Sequence, residues 1–163
     1  MNHFLKIIIF LFLLTKGFSQ TQSGEIVLKK NASILWSTNV FKESEHKVEI
    51  CKTELGWEFI CKIDDKPWFG SDLGMEKPDS QLIKLILKID NQIVELDVSG
   101  MFNTNYLTKD QFLLKKEGEF YKLYAFFSDG AGSYTAHWLI INGSSIREVI
   151  SSDEKYFLWQ NEK

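Results

Sequence analysis

The 163-residue chain contains two prolines, two cysteines and three histidines, and each scarcity removes a kind of chemistry. His46 and His137 lie far apart with no partner at metal-ligand spacing, so a zinc centre is not expected. Cys51 and Cys61 are too far apart for the Cys-x-x-Cys spacing of a thiol redox motif. No stretch sustains a helical repeat, and neither an internal repeat nor a low-complexity tract is present. Basic residues never cluster beyond pairs such as Lys29-Lys30 and Lys115-Lys116, which speaks against a nucleic-acid partner. The longest apolar run, IIIFLFLL over residues 7–14, falls well short of the ~20 residues a membrane-spanning helix needs.

That run instead reads as the core of an export signal. Lys6 precedes it, and Gly17-Phe18-Ser19 supplies small residues for cleavage, so residues 1–19 are expected to be a signal peptide. Residues 20–163 then form one exported domain, periplasmic or extracellular, with no membrane insertion after cleavage. No cysteine stands near the cleavage site to carry a lipid. Loss of Lys6 and Lys16 lowers Lys+Arg from 19 to 17 against 22 Asp+Glu, which moves the formal charge from −3 to −5.

What the mature chain has in abundance is β-forming sequence. The clearest case is residues 82–89 (LIKLILKI), where Ile83, Leu85, Leu87 and Ile89 are expected to share a buried face. A turn at residues 90–92 leads to residues 93–98, where Val94, Leu96 and Val98 alternate with Glu95 and Asp97. Residues 120–152 read as a three-stranded meander of FYKLYAFF, YTAHWLII and IREVISS, with SDGAGS as its first turn. Residues 25–30, 32–37, 47–53, 57–63 and 111–116 add further strands, and residues 155–160 (KYFLWQ) a last one at an edge. Residues 64–78 hold both prolines and read as a long loop of the kind that often carries function. The expected fold is an all-β antiparallel β-sandwich of about nine to ten strands, with an up-and-down, lipocalin-like β-barrel as the alternative.

Cys51 and Cys61 fall on the two arms of a hairpin around Gly56, and export to an oxidising compartment favours a disulfide between them. Register decides whether they meet. Pairing Cys51 directly with Cys61 serves the bond, whereas pairing Ile50 with Cys61 serves the apolar pattern, and a bulge would reconcile the two. Two buried free thiols are the other outcome.

Catalytic constellations are thin. Ser128, Asp129, Ser133 and His137 cluster in sequence, but Ser133 and His137 lie over ~10 Å apart along an extended strand, and the nucleophile elbow G-x-S-x-G is missing. A tight turn in which Asp129 bonds the backbone accounts for the same residues. Asp64, Asp65, Asp72, Glu76 and Asp79 are oxygen-rich but lack the regular spacing of a calcium loop, so no metal and no cofactor is expected.

Aromatic residues carry the remaining signal. Tyr124, Tyr134 and Trp138 would form a recognition platform if one face of the meander were open, and Trp68, Phe69 and Asp72 mark the long loop as a second candidate. These residues and Asp129 make up the expected binding set. The expected function is a non-catalytic binding protein of the cell envelope, for instance an immunity or inhibitor-type protein with a protein partner. An envelope-glycan-binding module is the alternative, and a hydrolase using Asp129 and His137 comes third.

Overall fold

A computed structural model describes residues 21–70, 74–104, 107–128 and 130–162. The expected signal peptide, Asp72 and Asp129 lie outside the described residues. Eleven strands follow one another: β1 (Gln22–Lys29), β2 (Ala32–Val40), β3 (Val48–Lys52), β4 (Glu58–Ile63), β5 (Lys66–Pro67), β6 (Ser80–Ile89), β7 (Gln92–Glu95), β8 (Phe112–Glu117), β9 (Phe120–Phe127), β10 (Tyr134–Ile141) and β11 (Ser144–Ser151). They form two four-stranded antiparallel sheets, β1-β2-β6-β7 and β11-β10-β9-β8, and a three-stranded sheet, β3-β4-β5. The fold is an all-β sandwich.

Among the described residues no backbone ladder joins β7 to β11 or β8 to β1, so the sheets do not close into a barrel. Side chains bridge both seams instead. Lys29 Nζ of β1 donates to the Leu114 carbonyl of β8 (2.9 Å), and Ser145 Oγ of β11 donates to the Glu95 carbonyl of β7 (2.6 Å).

The two-residue alternation decides what lies between the large sheets. Ile34, Leu85, Leu87 and Val94 from one sheet meet Leu123, Phe127, Tyr134, Trp138 and Ile140 from the other in a single buried cluster. Burying such side chains removes apolar surface from water at ~25 cal/mol per Å². Alternation is interrupted once in β6. The β2–β6 pairing steps from Ser37–Lys84 to Thr38–Leu82, so Ile83 is a bulged residue without a partner. The extra residue turns the strand over, burying Leu82 (1 % exposed) and turning Ile83 outward (42 % exposed). The expected inward position of Ile83 is thereby corrected.

Three other expectations change. Residues 64–78 are not a structureless loop: Asp64 and Asp65, both at positive φ, make a two-residue turn into β5, and the Gly74 carbonyl accepts the Ile60 N–H (2.7 Å). Trp57 belongs to the hairpin turn, because β4 begins only at Glu58. The expected strand over residues 155–160 is absent; Glu154–Tyr156 and Leu158–Glu162 form 3-10 turns. Successive side chains of a strand point to opposite faces, whereas the 3-10 geometry returns Tyr156 and Trp159 to one side, where both meet the outer face of β9 and β10.

The connection after β7 is fastened to the core by the polar ends of buried aromatic rings. Trp138 Nε1–H donates to the Asp97 carbonyl (3.0 Å), and Tyr134 Oη–H donates to the Phe102 carbonyl (2.7 Å). Met101 and Asn103 hydrogen-bond to the start of β6. Asn103 clips three segments, accepting from the Asp79 N–H and donating to the Gly70 carbonyl. Replacing Tyr134 with Phe is expected to cost about 1 kcal/mol, the usual net value of one hydrogen bond. Urea denaturation checks the loss, and faster amide exchange confined to residues 97–103 checks its location.

Candidate functional site

The structure does not assemble the aromatic platform. Tyr134 and Trp138 share the inner face of β10 and are fully buried in the sandwich core. Burial also pushes the Tyr134 phenol well above its ordinary pKa. Tyr124 points to the opposite face of the sheet, next to His137, its cross-strand partner. Trp159 stacks on Tyr124 (5.8 Å between ring centres), is itself 4 % exposed, and donates from Nε1 to Thr135 Oγ1 (3.1 Å). Phe157 packs edge-on to Phe126, and Glu162 pairs with Lys115 of β8. The C-terminal residues 153–162 therefore form a strap across the outer face of β9 and β10.

His137 lies under this strap, donating from Nε2 to the Tyr156 carbonyl (3.1 Å) with its ring against Tyr124 and Tyr156. Ser133 Oγ is occupied with the Gly130 carbonyl (2.8 Å). A nucleophile needs a base within hydrogen-bond reach, and each of these two side chains is engaged elsewhere.

Trp68 and Phe69 of the second candidate region are half-buried supports. Trp68 packs edge-on against Phe102 at 5.7 Å, and Phe69 stacks on Tyr134 at 5.7 Å. Among the described residues, the only group of three or more side chains with donor atoms near enough to hold a metal ion is Glu49, Cys51 and Cys61. Both sulfurs of that group are consumed by a disulfide.

That disulfide closes the β3–β4 hairpin. The ladder runs Val48–Ile63 and Glu49–Lys62, then steps to Ile50–Ile60 and Cys51–Phe59. Cys61 is the bulged residue. The bulge keeps Ile60 and Ile63 buried while bringing Cys61 diagonally beside Cys51, with Cα atoms 5.7 Å apart, inside the range a disulfide spans.

Beyond the bridge the chain turns through residues 53–57. Thr53 N–H donates to the Trp57 carbonyl, Gly56 N–H to the Thr53 carbonyl (both 2.9 Å), and Trp57 N–H to Thr53 Oγ1 (3.1 Å). Gly56 takes φ +82°, and a side chain added there would touch nothing within 4 Å. The tip therefore stands in solvent, yet it carries Leu55 at 84 % and Trp57 at 74 % exposure. Lys52 pairs with Glu58 and Lys62 with Glu49, which leaves Glu54 as the charge of the tip with no ion pair among the described residues.

The base of the hairpin is fixed as firmly as its middle. His46 stacks on Phe41 (4.7 Å), meets the edge of Phe102 (5.9 Å), and bonds Asp64 Oδ2 through Nδ1 (2.6 Å). Asp64 Oδ1 accepts the Lys47 N–H (2.9 Å), and the His46 bond holds the Asp64 carboxyl below its ordinary pKa.

Leu55 and Trp57 were not among the residues expected to bind. Their sequence signal was two large apolar residues beside the turn glycine of a cysteine-flanked hairpin, where polar turn residues are usual. Comparison of the chain with protein-family models, with curated proteins and with solved structures gives no match.

Two outcomes follow from the geometry. Replacing both cysteines with serine should lower unfolding stability by somewhat under ~3 kcal/mol, the chain-entropy value for so short a loop. Trp57→Ser, by contrast, should change stability by no more than ~0.5 kcal/mol because the ring buries little surface; guanidinium titrations of both variants check the contrast. For His137, burial lowers the pKa, while the Tyr156 carbonyl and Glu148 act against that shift and Lys122 adds to it. Above the unfolded value of about 6.5 both states are neutral and His137 contributes no pH dependence. As pH falls from there toward the lower folded value, only the unfolded chain gains the proton, and stability declines. His137→Gln should flatten that part of the stability–pH curve, read from thermal midpoints across the window.

Proposed function

We propose that this chain is an exported, non-catalytic binding domain that recognises a partner protein through the tip of the β3–β4 hairpin. The observation that carries the reading is the outward display of Leu55 and Trp57 on a turn locked by a disulfide. Exposed tryptophan on a rigid element is the residue type that most often dominates binding energy. A tip already fixed in place loses little conformational freedom when it docks.

Charge selects among partners. Glu54 beside the apolar tip, on a chain with formal charge −3 before processing, is repelled by anionic membrane surfaces and by nucleic acid. It suits an apolar cleft on a protein with a cation at its rim. An inhibitor that inserts the tip into the cleft of an enzyme is the concrete form of this reading. Export is supported by the N-terminal apolar run with its flanking lysines and by the disulfide, a bond favoured in oxidising compartments.

A photo-crosslinking residue at position 55, introduced in cells of the source organism, is expected to give one discrete adduct. The same residue at Ile93, exposed on another sheet, gives none. With the partner purified, Trp57→Ala should weaken binding by at least roughly 30-fold, the equivalent of a 2 kcal/mol hot spot. Glu54→Lys should weaken it further at low salt. Unchanged affinity in the Trp57 variant would remove the hairpin from the interface.

A further inference from the structure

The C-terminal strap does more than cover the outer face of β9 and β10. Between it and the connection from β9 to β10 lies an open cleft of about 520 Å³, inside the range of ~300–1,000 Å³ typical of small-ligand sites. Phe126 and Phe157, half-buried and packed edge to face at 5.7 Å, supply its apolar wall together with Leu158. Ser152, Glu154, Gln160 and Asn161 also line it, and none of these four side chains has a hydrogen bond or ion pair within the described residues. Ser152, Glu154 and Asn161 are exposed to solvent, so a ligand that covers them must supply hydrogen bonds of its own.

This lining discriminates among ligand classes. An apolar molecule would strip water from two amides, a hydroxyl and a carboxylate without compensation. A phosphate or other anion would meet the Glu154 carboxylate, and among the described residues no lysine or arginine lines the cleft to offset it. A neutral saccharide fits both halves. Its hydroxyls donate to the carboxylate and exchange hydrogen bonds in both directions with amides, and its C–H face packs on an aromatic ring. The walls are also preset: Trp159, two residues after Phe157, is buried and hydrogen-bonded to Thr135, which in turn donates to the Ala125 carbonyl (2.7 Å).

We propose that the cleft between the β9–β10 connection and the C-terminal strap binds a neutral saccharide. This site is separate from the hairpin, so the domain has two recognition surfaces. The test uses the full chain with maltose, cellobiose and N,N′-diacetylchitobiose as probes and inorganic phosphate as the anionic control, read by saturation-transfer NMR and calorimetry. At least one disaccharide is expected to bind with roughly millimolar Kd, and phosphate is expected not to bind. Glu154→Gln and Asn161→Ala, both at solvent-facing positions, should each weaken binding by about tenfold, equal to ~1.4 kcal/mol. Trp57→Ala should leave saccharide binding intact, so failure here and failure of the hairpin reading are separable. Absence of binding by all three disaccharides at about 10 mM, several times the expected Kd, overturns the proposal. So does tight phosphate binding, or saccharide binding that survives both cleft substitutions unchanged.

Discussion

Two hydrogen bonds from buried aromatic rings organise this protein. Trp138 and Tyr134 are placed in the core by the alternation of β10, and each brings an N–H or O–H that must find an acceptor away from water. The acceptors are the Asp97 and Phe102 carbonyls, at two points in the first half of the connection leaving β7. Satisfying the rings therefore fixes the path of that connection. Arg147 of β11 adds to this by donating to the Ser99 carbonyl (2.8 Å) and pairing with Asp97. With its backbone pinned, the Phe102 ring becomes the floor of the satellite cluster of Ile60 and Ile63, with Phe41, Val48 and Trp68 packed around it. The third sheet is thus seated on a residue whose position the sandwich core dictates.

The same logic extends outward to the hairpin. Its base is held by Phe102, His46 and Asp64, its middle by the disulfide, and its tip by three hydrogen bonds within residues 53–57. An exposed tryptophan on a slack loop would fold back onto apolar surface. Here the turn has little freedom to do so, and the ring stays in solvent. The C-terminal strap serves the opposite purpose. It covers the Thr135 hydroxyl and the rings of Tyr124 and His137, the latter two of which would otherwise present aromatic surface on β9 and β10.

Much of this was legible in the chain. Period-two alternation marks β6, β7, β9 and β10, and the turn signals at Asp90, Asn142-Gly143 and Gly118 fall where the backbone takes positive φ. The aromatic-rich strands β9 and β10 are the two central strands of their sheet. The cysteine pair posed two incompatible registers, and a bulge at Cys61 resolves them by serving the apolar face and the bond together.

What escaped the sequence has a common cause. A bulge has no composition, so nothing in LIKLILKI announces that Leu82 and Ile83 exchange faces. KYFLWQ has the make-up of a strand, and only the open outer face of β9 and β10 favours a 3-10 strap in its place. Tyr124, Tyr134 and Trp138 look alike on the page, but the sheet sends Tyr124 to one side and the other two to the opposite side. The sequence by itself determined the all-β character, the hairpins and the reach of the two cysteines, because these depend on neighbours a few residues away. Which aromatic rings are buried and which one stands free at Trp57 was decided by tertiary structure alone. Burial depends on what a distant segment lays over a face, and local sequence does not encode that.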